Sequence, residues 1–181
     1  NNKPFQASSK SEDDEEAWKG LLFSALDQAL ALVSEMREKE GRFLAEDIAE
    51  RSQLIQNMVS AIELRSPKVV EEYRQKLEHR LKELLNNTEL DETRFQAEVA
   101  YFADRSNITE EIVRMRSHLA QLLQNLKSGG CIGRKLDFIV QEMNREANTI
   151  GSKSSDITIT NYVVDIKSEI EKIREQIQNI E

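Results

Sequence analysis

GRKLDFIVQEMNREANTIGSK, running from Gly133 to Lys153, decides how this 181-residue chain is read. Leu136, Ile139, Val140, Met143, Ala147 and Ile150 recur at three- and four-residue intervals. At about 100° per residue they share one side of a helix, and a side so uniformly apolar is a buried one. The polar side is unusual. Asp137, Gln141, Asn144 and Asn148 form a stripe next to the apolar face, with Arg134 and Arg145 beyond it. Asn and Asp weaken a helix because their side chains compete for backbone hydrogen bonds, and a merely solvated face is more stable as Glu, Lys, Gln and Ala. The stripe therefore marks fixed donors and acceptors directed at a neighbouring helix or at a ligand. Phe138, about opposite the apolar face, wants a partner surface or a stacking ligand. A helix packed on two sides in an oligomer produces the same pattern, so periodicity leaves both readings open.

The rest of the chain agrees with a helical fold. Aromatic residues make up 6%, charged residues 32%, and there are only six Gly and two Pro, a balance that favours long helices over sheets and predicts an all-α protein. The formal net charge of −8 gives no overall attraction for a phosphate backbone, so any nucleic-acid role needs a local basic patch, a bridging metal or another domain. One cysteine, Cys131, excludes an internal disulfide and suits a reducing, cytoplasmic setting. No run approaches the roughly 18 apolar residues of a membrane span, and no signal peptide is visible, so no membrane partner is expected.

Residues 1–11 read as a linker or disordered arm. Ser11 and the acidic run Glu12 to Glu16 suit a helix N-terminus, where the dipole favours negative charge. Trp18, Leu22, Ala25, Ala29, Leu32 and Met36 then step at three and four, and the pattern resumes at Phe43, Leu44, Ile48, Ile55, Met58 and Ile62. Such a helix is about 70 Å long, beyond a compact domain of this size, and must pair with something. Gly41 marks a bend or a close approach within it. Ser66 and Pro67 read as an N-cap and first helical residue, so the next helix, to about Leu85, folds back. A long antiparallel hairpin over 12–89 is expected, followed by a bundle of shorter helices over 90–181. His79, among Glu78, Arg80 and Lys82, reads as a surface residue.

Asp91 caps a helix covering Phe95, Val99 and Phe102, and Asp104 to Asn107 form a polar joint. Asn107 and Glu110 have capping-box spacing ahead of Ile112, Met115, Leu119, Leu122 and Leu126. Glu111, Arg114 and His118 share one edge of that helix. An imidazole there can do acid–base work, ligate a metal, or be satisfied at a helix interface. Ser128 to Gly130 stop the helix. After Gly151, the run SKSSD (Ser152 to Asp156) can cap a last helix, and its hydroxyls and Lys153 can bind phosphate. Ile159, Val163, Ile166, Ile170, Ile173, Ile177 and Ile180 keep a heptad seam that either docks within the monomer or builds an oligomer. A homo-oligomer is expected. No phosphate-binding glycine loop, zinc spacing or nucleophile triad is present, so spacing alone describes a helical interaction module.

GRKLDFIVQEMNREANTIGSKSSD with the terminal EIEKIREQIQNIE resembles the closing signature of the bacterial YicC/YloC family of endoribonucleases. EMREKEG (Glu35 to Gly41) and EVAYFADRSNITEEIVRMRSHL (Glu98 to Leu119) extend the likeness from about Glu15 onward. Family members carry a further domain ahead of this region, and the chain opens on Asn1, so it reads as a C-terminal portion. The resemblance implies endonucleolytic hydrolysis of RNA, assisted by Mn2+ or Mg2+. It implies Asp137, Glu142 and Glu146 for metal or base work, Arg145 with the cations Arg134, Lys135 and Lys153 for phosphate, and Asn144 and Asn148 for orienting RNA. His118 is a possible acid–base group. The alternatives are a non-catalytic helical assembly module and an RNA-binding module without cleavage.

Overall fold

A computed structural model describes residues 9–85, 91–128 and 133–178, with side chains from residue 15 onward in the first span. Among them the chain is all α, without a strand: α1 (Ser9–Leu85), α2 (Glu92–Arg105), α3 (Thr109–Ser128), α4 (Gly133–Lys153) and α5 (Ile157–Gln178). No helix among the described residues is long and apolar enough to cross a membrane. Residues 1–8, the turn expected at 86–89, Cys131 and Ile180 lie outside the described residues.

The chain divides into two compact units, Asn1–Phe43 and Leu44–Glu181. In the first, α1 begins at Ser9, inside the stretch expected to be an arm. Its apolar residues lie open to solvent, Trp18, Leu22 and Met36 each about 70% exposed, so the expected partner of this stripe is not within the unit. The helix passes through Gly41 with open space where a side chain would stand, so no close approach explains that glycine.

In the second unit the core is one apolar cluster. Ile48, Ile55, Val59 and Ile62 of α1 meet Ile112, Met115, Leu119 and Leu122 of α3, the whole apolar face of α4, and the seam of α5 from Ile159 to Ile177. α4 is central, packed on α3 and on α5. The α5 seam thus docks within the chain. The stepping of apolar residues in α3, α4 and α5 is borne out nearly residue for residue, because burial of a stripe of this width stabilises a helix far more than its intrinsic propensity.

The hairpin is corrected. α1 runs unbroken through Pro67, with no turn at Ser66 and no antiparallel return. An interior proline costs about 3 kcal/mol because it lacks an N–H and crowds the preceding turn. Here packing on both sides offsets that cost: Val59 and Ile62 before it and Val69 after it all rest on the core. Arg65 also spans the site, donating to Glu72 at 2.6 and 2.8 Å and to Asp156 Oδ2 at 2.7 Å. α2 touches α1 through Tyr73 and Phe102, whose rings stack with centroids 3.8 Å apart.

The caps follow the sequence more closely. Asp91 accepts from the Arg94 N–H at 3.2 Å, and Asp156 accepts from the Ile159 N–H at 3.0 Å while also holding Arg65. Asn107 Oδ1 accepts from the Thr109 N–H at 3.0 Å, whereas Glu110 pairs with Arg114. His79 is exposed, as expected.

Candidate functional site

α3 and α4 run in opposite directions, and a ladder of polar residues crosses the seam between them. Its first rung is Glu111, only 5% exposed, whose Oε1 lies 2.7 Å from Lys153 Nζ. The same ammonium donates to the Asn107 carbonyl at 3.1 Å. Burial pushes the Glu111 carboxyl up, but the Lys153 hydrogen bond and charge outweigh it and hold the group below the usual carboxylate range. Its Oε2 is buried without a partner. The second rung is Arg114 Nη1 to Glu146 Oε1 at 3.7 Å, with Glu146 only 4% exposed. The third is His118, half-buried opposite Glu142 and Glu146. Residues three and four apart on α3, and four and seven apart on α4, supply the rungs, so the ladder follows from helical spacing once the two helices pack.

His118, Glu142 and Glu146 each offer one ligand atom, and these atoms lie within 4.8 Å of one another. Carboxylate oxygen and imidazole nitrogen bind divalent cations at about 2.0–2.2 Å, so ligand atoms around one ion stand roughly 3–4.4 Å apart. Atoms within 4.8 Å of one another can close to those separations by side-chain rotation; the two carboxylates suit Mn2+ or Mg2+, and the imidazole is a ligand more usual for transition ions than for Mg2+. Burial of Glu146 favours a cation as its partner, since a buried carboxylate with only one long ion pair is under-neutralised.

Asp137, expected in the same set, is not brought there. Its Oδ2 accepts from Gln141 at 2.7 Å and its Oδ1 lies 3.6 Å from Arg174 Nε on α5, the opposite side of α4 from His118. The outer face of α4 carries Gln141, Asn144, Arg145, Asn148, Thr149 and Ser152 around a shallow cleft. Arg134, Lys135, Arg145 and Asn148 are exposed, as is Phe138 at 61%. Asn144 lines the cleft while its Oδ1 is buried with no partner, so this amide is not spent on an internal network. Lys153 is committed to Glu111. A second cleft, of about 260 Å³, lies between Phe102, Arg105 and Ser106 at the end of α2 and Ser152, Lys153, Ser154 and Ser155 after α4. Sequence reading placed Arg105 only in a polar joint; nothing in its spacing signals that it returns against the α4–α5 connection.

Residues 62–181, which hold all of α2 to α5 and every residue of the ladder, match the family described as endoribonuclease YicC-like, C-terminal. The chain belongs to that family. It is 56% identical over 173 residues to a protein of Clostridioides difficile named probable endoribonuclease YicC, which covers 95% of this chain and 59% of that one. A protein of the same name from Haemophilus influenzae is 38% identical over 170 residues, covering 94% of this chain and 58% of its own length. The chain thus spans somewhat less than three fifths of these curated relatives.

Proposed function

We propose that this chain carries the metal-binding part of an endoribonuclease centre, with His118, Glu142 and Glu146 as ligands of Mn2+ or Mg2+. The observation that supports this reading is the convergence of those three side chains from two helices of a YicC-like domain. A cation held by His118, Glu142 and Glu146 would supply Lewis acidity toward the phosphodiester and its attacking water. The chain's own residues do the rest. Glu142 and Glu146 give the site its negative charge, and Arg114 orients the buried Glu146 through its 3.7 Å contact. Arg145 and Arg134, exposed on α4, meet phosphate oxygens, and Arg145 neutralises negative charge developing on the phosphoryl oxygens. Lys135 adds longer-range attraction, and Asn144 and Asn148 orient the RNA by hydrogen bonds. Lys153 acts indirectly, fixing the end of α4 through Glu111. The setting is cytoplasmic.

The protein also assembles with copies of itself. This part of the reading is supported by the exposed stripe of Trp18, Leu22, Leu32 and Met36, a patch that isolated soluble units rarely leave uncovered. The first part is tested on a labelled structured RNA with Mn2+ or Mg2+, with chelator, and with Glu142→Gln and Arg145→Ala variants of unchanged mass in sedimentation; a monomer mass for the unsubstituted protein in the same runs overturns the assembly. Cutting that needs metal and is lost in both variants supports the reading. Cutting that survives both moves the chemistry elsewhere, and metal binding without cutting leaves a non-catalytic module.

A further inference from the structure

Most arginines of this chain are consumed internally. Of thirteen, nine are held in ion pairs or hydrogen bonds, and among the described residues Arg80, Arg105, Arg134 and Arg145 have guanidinium groups with no such partner. In a chain with 33 carboxylates, an unpaired arginine is a group kept available. Arg134 and Arg145 belong to the outer face of α4. Arg105 comes from α2, yet it lines the cleft that shares Ser152 with the cleft on α4. The two clefts thus adjoin at Ser152, and no carboxylate lines either of them.

The donors in the second cleft can be counted. Ser106 and Ser152 direct their hydroxyl protons to the carbonyls of Phe102 and Thr149. Ser154 Oγ only accepts, from the Asp156 N–H at 3.2 Å, and so retains its own proton for donation. The Ser155 hydroxyl has no partner among the described residues. Lys153 is neutralised by Glu111, and Asp156, the nearest carboxylate in sequence on the α5 side, is neutralised by Arg65. Asp104, next to Arg105, is exposed and does not line the cleft. What remains is one guanidinium with two free hydroxyls in about 260 Å³, less than the roughly 300 Å³ at which small-molecule pockets begin. That is the chemistry of a site for a phosphate group, whose oxygens accept from the guanidinium and from both hydroxyls.

We propose that the cleft of Arg105, Ser154 and Ser155 is a phosphate subsite that holds the RNA strand where it leaves the outer face of α4. This rests on the RNA reading above and adds to it a contact from α2, so the strand bridges two elements and its register against the metal ligands is fixed. Arg105 is a positioning residue.

The test is binding, not cleavage: fluorescence anisotropy of a labelled single-stranded RNA with EDTA present, across a salt series, for the protein and for Arg105→Gln, Arg105→Lys and Arg80→Gln. Arg105→Gln is expected to weaken binding about tenfold and to reduce the slope of log affinity against log salt by about 0.7, one phosphate contact on a single strand. Arg105→Lys keeps the slope and loses part of the affinity, since charge survives without the bidentate fork. Arg80→Gln, unpaired but outside both clefts, leaves both unchanged. Equal slopes for the protein and Arg105→Gln, or an equal loss in Arg80→Gln, overturn the subsite while RNA binding stands. No binding by the unsubstituted protein overturns the RNA reading and the subsite with it. A 5′-phosphorylated and a 5′-hydroxyl RNA of one sequence separate the two sources of phosphate. The same loss on both assigns the site to an internal phosphodiester, and a loss only on the first assigns it to a terminal phosphate.

Discussion

α4 has two partners, and its two seams are built differently. Toward α5 the buried contact is β-branched and dry, with the half-buried Asp137–Arg174 pair only at its edge: Ile159, Val163, Ile166, Ile170 and Ile173 are buried, and Gly151 lets Val163 approach closely. Toward α3 an equally buried apolar row, Met115, Leu119 and Leu122, is bordered by Glu111, Arg114, His118, Glu142, Glu146 and Lys153. Buried carboxylates add little or nothing to stability compared with apolar residues of similar volume. One seam is thus arranged for stability, while the other gives up some stability to hold charged groups in register, the condition a reactive site needs.

The largest effect should come from breaking the dry seam. Ile166 is fully buried, and Ile166→Ala should lower unfolding free energy by about 3 kcal/mol in urea titration, through lost transfer energy and the cavity left behind. Metal affinity should fall only as far as the folded fraction does. Next comes the polar seam. Glu142→Gln should weaken Mn2+ binding about 100-fold in calorimetry, worth about 2.7 kcal/mol, while moving the urea midpoint little, because Glu142 is only half-buried. If the two variants traded outcomes, the division between the seams would be wrong.

The dry seam was legible and the polar one only partly so, for a physical reason. Three- and four-residue spacing of Leu136, Ile139, Val140 and Met143 reports burial directly, because apolar burial is non-directional and needs only the right face. Spacing also put Glu111, Arg114 and His118 on one edge of a helix. It could not say which residues of α4 they would meet, since that depends on the register of two helices. Asp137 and Glu146 are nine residues apart and equally plausible as ligands in sequence, yet packing turns one to Arg174 and the other to His118. Pro67 shows the converse error, a strong local signal overruled because Val59, Ile62 and Val69 keep one phase on the core.

A smaller effect is expected at the start of α5. The Arg65 hydrogen bond, against the opposing effect of burial and aided by the Ile159 and Thr158 amides, holds the Asp156 carboxyl below its usual range. A depressed carboxylate contributes stability above its unfolded pKa, near 4, and loses it as pH falls through the folded value. Asp156→Ala should therefore cost about 2 kcal/mol at pH 7, as a lost cap and a lost ion-pair partner. The difference from the parent should shrink toward the cap term alone below pH 3. A difference that stays constant from pH 7 to pH 3 would mean that the carboxylate's charge is not what acts.

The smallest effect tests how tight the dry seam is. A Cβ placed on Gly151 stands 3.2 Å from Val163 Cγ1, tighter than an ordinary van der Waals contact. Alanine in a helix is favoured over glycine by about 1 kcal/mol, whereas crowding a buried valine costs a comparable amount, because a β-branched side chain in a helix has one strongly preferred rotamer and cannot turn away. Gly151→Ala should consequently change stability by less than about 0.5 kcal/mol on its own. Val163→Ala removes the methyl groups that do the crowding, and in that background Gly151→Ala should stabilise by the full helix-propensity gain of about 1 kcal/mol. The expected coupling in this double-mutant cycle is thus at least about 0.5 kcal/mol. Additive effects would show that the backbones of α4 and α5 can separate at no cost, and the seam would then owe its stability to the isoleucines alone and not to the approach that Gly151 permits.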